Sequence, residues 1–155
     1  MGAHHYHIEL LPRTSVGLDP EDENLWGQPP PESLLKELRT LLPNDTSWGG
    51  VEEYESDNEW SSDLRIWHED ELDSPVFSIV FRYAPIEGTT TVLERFLTLA
   101  ANHNLLLYSR ASRRTFEPKW DELVSDLKTT PAFQFLSDPE KAIKAAAAKV
   151  SSNLK

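Results

Sequence analysis

The chain has no cysteine. That excludes a disulfide framework, a thiolate metal site and a cysteine nucleophile, and it suits a reducing compartment. Only six glycines are present, and Gly49-Gly50 is the one adjacent pair, so no glycine-rich loop can cradle a phosphate. No apolar run approaches the ~18 residues that a membrane span needs. The opening MGAHHYHIELLPR lacks the basic region and long apolar segment of a signal peptide. A G-x-S-x-G elbow and an H-E-x-x-H helix are also missing. The expectation is a soluble, cytoplasmic protein with no membrane contact, no catalytic residues, no metal and no cofactor.

Basic residues are scarce in the first half. Residues 1–75 hold 18 Asp and Glu against four Lys and Arg, a net of −14, whereas residues 76–155 carry +3. Within Glu52–Asp73 there are ten acids and one base, Arg65. Such a field repels nucleic acid and attracts basic surfaces. Four of the five tryptophans, Trp26, Trp48, Trp60 and Trp67, fall in or beside this acidic half. An aromatic set among surface acids is what a hot spot for a basic partner looks like. The candidate partner surface is therefore Glu52, Glu53, Glu55, Asp57, Glu59, Trp60, Asp63, Trp67, Glu69 and Asp70. Lacking apolar periodicity, Glu53, Glu55, Asp57 and Glu59 read as solvated.

What is there for folding is concentrated between Val76 and Tyr108, which reads strand, helix, strand. VFSIVFRY is apolar or aromatic on both faces, as a strand inside a sheet is. Thr91 and Glu94 have the spacing of a capping box. Val92, Leu93, Phe96, Leu97 and Ala100 form one helical stripe, and Asn102 and Asn104 suit the left-handed turn that ends a helix. Upstream, Tyr6, Ile8 and Leu10 alternate as a first strand. Residues 13–30 read as a long loop pinned by Trp26. Pro29-Pro30-Pro31 leads into a helix bearing Leu34, Leu35, Leu38, Leu41 and Leu42, stopped by Pro43. Asn44 to Gly50 reads as a turn, and VEEYE as either a short edge strand or a solvated loop. Leu64–His68 and Val76–Tyr83 form a hairpin. Downstream, Trp120, Leu123, Val124 and Leu127 recur at helical spacing. Phe133, Phe135 or Leu136 docks a short turn, and an alanine-rich helix follows with a frayed tail at 151–155.

This order predicts one α+β domain over 1–155. It implies a single, mostly antiparallel sheet of about four strands with helices on one face, in the split β-α-β order of ferredoxin-like folds, plus C-terminal helices. The helix between the last two strands makes them a parallel crossover.

The remaining candidates for chemistry have blander readings. His5 and His7 share a strand face and, with His4, suggest imidazole ligands, but an exposed strand or a tag remnant explains them equally. His68 precedes the acids of HEDELD and could act as a base; a strand-end histidine in a charged turn is the plainer account. The segment Glu55–Trp60 lacks the glycine and terminal Glu of a calcium loop. An alternative function is a small-molecule-binding domain or small enzyme with Arg82, Arg110 and His68 around a pocket on the sheet face. A third is a subunit that dimerises through an exposed strand, so the protein is a monomer or a homodimer.

The run LERFLTLAANHNLLLYS places Ala100, His103, Leu105 and Tyr108 in the phrase A-x-x-H-x-L-x-x-Y. This resembles small bacterial proteins in which an amphipathic helix ends in that phrase and enters a short strand. Some of these look like immunity partners of secreted or contact-dependent toxins. Here Ser109-Arg110-Ala111 replaces the Asp-Pro-Gln that usually follows the tyrosine. The resemblance implies a non-enzymatic protein that neutralises a basic partner such as a toxin enzyme.

Overall fold

The computed structural model describes residues 5–21, 25–57, 62–84 and 91–130. The docking turn at Phe133–Leu136, the alanine-rich helix and the 151–155 tail lie outside them. In chain order the elements are β1 (Tyr6–Leu11), α1 (Glu32–Leu38), β2 (Asn44–Asp45), β3 (Val51–Glu55), β4 (Asp63–His68), β5 (Val76–Tyr83), α2 (Thr91–Asn102), β6 (Leu106–Ser109), β7 (Arg114–Phe116) and α3 (Trp120–Leu127). A single turn of 3₁₀ helix covers Arg13–Ser15.

The strands form one antiparallel sheet of seven in the order β2-β3-β4-β5-β1-β6-β7. This corrects the expectation of about four strands in a ferredoxin-like arrangement. Three pieces make the difference. VEEYE is a strand paired along its length with β4, and Asn44–Asp45 extends the sheet beyond it. RTF, inside the basic segment after Tyr108, returns on β6. β5 and β6 are parallel to each other as the crossover requires, and β1 lies between them and pairs with both.

The alternation of β5 is resolved by its neighbours. Ile79, Phe81 and Tyr83 face Ile66, Leu64, Ile8 and Tyr6 across the pairs and join the main core. All three helices cover this side: Leu34, Leu35 and Leu38 of α1, Leu93, Phe96, Leu97 and Ala100 of α2, and Trp120, Leu123, Val124 and Leu127 of α3 belong to the same cluster. α1 ends at Leu38, a turn earlier than its leucines suggest. Leu41 and Leu42 stay buried beyond it. α2 ends as expected of asparagine: Asn104 is left-handed at φ 56°, the Leu105 amide reaches the Ala100 carbonyl at 3.0 Å and the Asn104 amide reaches Ala101 at 3.1 Å, which is the Schellman closure. Trp26 is buried in the main core and ties the 13–30 loop down. Leu25 seals the opposite face against Leu11, Leu106 and Tyr108.

One polar contact is placed deep on the helix side. The Tyr6 hydroxyl donates to Asp126 Oδ2 at 2.6 Å, and the Ser112 hydroxyl bonds the other oxygen. Both Tyr6 and Asp126 are buried. Burial first, and then the neighbouring carboxylate, push the phenol up from its ordinary range. Tyr6→Phe keeps the ring but leaves Asp126 one donor short. It is expected to cost about 1–3 kcal/mol, read from the shift in urea midpoint at unchanged slope.

Candidate functional site

The ten residues expected to form one acidic surface are distributed by the sheet over four places. Glu52 points to the helix side, where it is buried and accepts from Arg39 Nε at 2.8 Å, His68 Nε2 at 2.7 Å and Tyr54 Oη at 2.8 Å. Glu53, Asp63 and Trp67 lie on the opposite, helix-free face. Glu53 is buried against Arg65 at 2.8 Å, and Asp63 is buried beside Arg82 at 3.1 Å. Glu55 and Asp57 sit at the β3–β4 turn, where the Asn44 side chain donates to Asp57 at 2.9 Å. Glu69 and Asp70 lie at the other end of the hairpin, exposed between β4 and β5. Glu59 and Trp60 lie outside the described residues. Glu53, read as solvated, is instead a cross-strand partner: it stands directly opposite Arg65 in the register.

The end of the sheet near Glu69 and Asp70 carries a feature that the ten-residue surface omitted. Trp48 is 56% exposed. Its ring meets Trp67 edge-on, with centroids 6.4 Å apart at 81°, a favourable aromatic geometry. The loop holding it is fixed from both sides. Asp45 accepts the Ser47 amide at 2.9 Å and the Ser47 hydroxyl at 2.5 Å, and these bonds lower the Asp45 pKa. Trp48 and Val51 exchange backbone hydrogen bonds at 3.0 and 2.9 Å around Gly49-Gly50. Gly49 is left-handed at φ 52°. A Cβ on Gly50 would lie 2.1 Å from the Asp70 carbonyl oxygen, so only glycine lets the two loops meet. Glu69, Asp70, Glu71 and Asp73 are all exposed there, with Leu72 at 47%. The sequence signal for Trp48 was its setting in T-S-W-G-G, a tryptophan in a turn with no apolar periodicity to bury it.

The helix-free face is a second polar arrangement. Across the strands the register runs Asp63, Arg82, His7 in one row and Glu53, Arg65, Val80, Glu9, Tyr108 in the next. Arg110 adds a bond to Glu9 at 3.2 Å. A register shift at Trp67/His68 leaves Phe77 opposite no residue, and its ring lines the cavities on this face. The larger cavity, about 490 Å³, is bounded by Arg65, Arg82 and Arg110. The smaller, about 190 Å³, shares Arg110 and is bounded by Glu9 and Tyr108. Burial, then the charges of Arg82, His5, Arg110 and Arg65, push His7 down to about 4. Burial raises Asp63 and Glu9, opposed by Arg82 and Arg65 at the first and by Arg110 at the second.

Of the pocket residues expected on the sheet face, the structure brings Arg82 and Arg110 together and separates His68 from them. His68 faces the helix side. Its Nδ1 meets the Ser74 carbonyl at 2.6 Å and its Nε2 meets Glu52, which leaves neither nitrogen for a substrate. His5 and His7 are edge-on at 6.4 Å, and among the described residues no group of three His, Asp or Glu is placed to hold a metal. Among the same residues no helix is long and apolar enough to cross a membrane. Comparison with protein-family models, with curated proteins and with solved structures finds no match.

Proposed function

We propose that this chain is a non-enzymatic binding protein that docks a basic protein through the loop tip at residues 46–50 and 69–75. One observation carries the reading: Trp48, a large aromatic held in a braced turn, is more than half exposed beside four exposed carboxylates. Exposing a tryptophan forgoes the gain of burying it, and an aromatic anchor ringed by charge is the composition of a protein-binding hot spot. Acids on the loops supply steering. The net charge of −11 acts in the same direction. The resemblance around Ala100–Tyr108 makes a toxin enzyme the simplest basic partner.

The test uses the parent protein as bait in cell extract beside two variants, Trp48→Ala and the quadruple reversal Glu69→Lys, Asp70→Lys, Glu71→Lys and Asp73→Lys. The four acids are exposed, so the reversal should leave the thermal midpoint in place, and Trp48→Ala should cost little beyond its contact with Trp67, about 0.5–1.5 kcal/mol. The expected result is one or more basic proteins retained by the parent and lost by both variants. With the partner purified, association should slow steeply between low and physiological salt, where screening acts over ~8 Å. Charge reversal should act on the association rate, and Trp48→Ala on the dissociation rate. A partner retained equally by all three baits would remove the tip from consideration.

A further inference from the structure

We infer that the larger cavity on the helix-free face is a binding site for a small monocarboxylate with an apolar or aromatic body. Its lining is chemically one-sided. Arg65, Arg82 and Arg110 contribute three guanidinium groups and His7 an imidazole, and no carboxylate belongs to the wall. The acids that balance these cations, Glu53, Asp63 and Glu9, pair with Arg65, Arg82 and Arg110 in turn and are not part of the wall. Glu9 faces the neighbouring smaller space.

A second observation concerns the polar atoms behind this wall. Arg82 is over nine-tenths buried, and among the described residues its Nε–H and Asp63 Oδ1 both lack a hydrogen-bond partner. Its two terminal nitrogens are directed to Asp63 at 3.1 Å and His5 at 3.5 Å. A buried guanidinium donor without an acceptor is costly, and a planar guanidinium is shaped to receive a carboxylate. The rest of the wall is Trp67, Phe77 and Val80, with Ser78, whose hydroxyl donates to Glu9 at 3.3 Å. A volume of about 490 Å³ falls within the ~300–1,000 Å³ of small-molecule sites.

The charge balance sets the class of ligand. A neutral molecule would make no charge-assisted bond with the guanidinium groups of the wall. A dianion such as phosphate would face Glu9, Glu53 and Asp63 nearby and a chain of net charge −11. One negative charge on an apolar body matches both the donors and the Trp67–Phe77 wall. This site shares no residue with the tip proposed to dock a protein, meeting it only where Trp67 touches Trp48, and it stands or falls separately.

The experiment is a titration of the full chain, followed by NMR at the His7 ring, with phenylacetate, hydrocinnamate and hexanoate. Phenylacetamide and inorganic phosphate serve as comparators. At least one carboxylate should saturate in the millimolar range or tighter, with the amide about tenfold weaker because it forms no charge-assisted bond. The bound anion should raise the His7 pKa from about 4, since a nearby negative charge favours the imidazolium. Arg110→Gln changes a half-exposed side chain and keeps an amide that can donate to Glu9, so it should move the thermal midpoint little while weakening binding several-fold. Arg82→Lys keeps the charge but loses the planar fork, and should also weaken it. The assignment is overturned if none of the three carboxylates saturates, if amide or phosphate binds as tightly as the carboxylate, or if Arg110→Gln binds like the parent.

Discussion

Phe81→Ala is expected to destabilise the protein by about 3–5 kcal/mol, and Phe96→Ala by a similar amount. Both rings are fully buried, and they stack with centroids 4.7 Å apart and planes inclined by 21°. Phe81 sits in the second half of β5, opposite Ile8 on one side and Leu64 on the other. Phe96 brings the centre of α2 down onto it. Removing either ring exposes no new route for collapse, because backbone pairs hold β5 from both sides. The cost is then lost burial plus a residual cavity. Against a typical total of about 5–15 kcal/mol, each change should move the denaturant midpoint far while leaving the slope unchanged. The pair should also be non-additive: each single variant already loses the stacking interaction, so the double variant should cost less than the two singles combined, by about 0.5–1.5 kcal/mol. Full additivity would show that the rings fill space independently and that β5 and α2 are not locked at this point.

The segment containing these two rings was the most legible part of the chain, and the reason is physical. In VFSIVFRY and TTTVLERFLTLAANH, period, capping residues and burial all select the same structure, so local and global preferences agree. Trp120–Leu127 and Tyr6–Leu11 were legible for the same reason. The strands left open or missed fail that condition. VEEYE has only Val51 and Tyr54 to offer as apolar residues. Its stability comes from partners distant in sequence, Arg65 for Glu53 and Arg39 for Glu52, which no local pattern announces. Asn44–Asp45 and Arg114–Phe116 are too short to show a period. The same effect blurred the candidate site. Acids adjacent along the chain alternate across a strand, so Glu52 and Glu53 end on opposite faces, and a run that looks like one patch becomes three ion pairs of buried acids and two separate loops. The exposed Trp48 was visible in the sequence, but its neighbours Glu69–Asp73 are brought to it only by the closeness of Gly50 to Asp70.

Glu52 is where the largest electrostatic effect is expected. Burial alone would push its carboxyl up; hydrogen bonds from Arg39, His68 and Tyr54 outweigh burial and hold it down at about 2, against an ordinary value of 4.5. A carboxyl depressed in the folded state stabilises folding in full above its unfolded value, and that contribution fades as pH falls from 4.5 through 2. The difference is worth roughly 3 kcal/mol. Glu52→Gln should therefore cost about 3–5 kcal/mol at neutral pH, because Arg39 and His68 lose the carboxylate that both contact. The variant should also have a flatter acid limb than the parent. Glu9 and Asp63, raised by burial, act in the opposite sense and gain relative to the unfolded chain as pH falls. Parent and variant share both of these groups, so the difference between their two stability curves isolates Glu52. That difference, measured by urea unfolding at intervals from neutral pH into the acid range, should shrink steadily below pH 4.5 and approach its minimum near 2. A difference that stays constant with pH would mean that the carboxylate is not ionised against Arg39 and His68, and that β3 is held to α1 by shape alone.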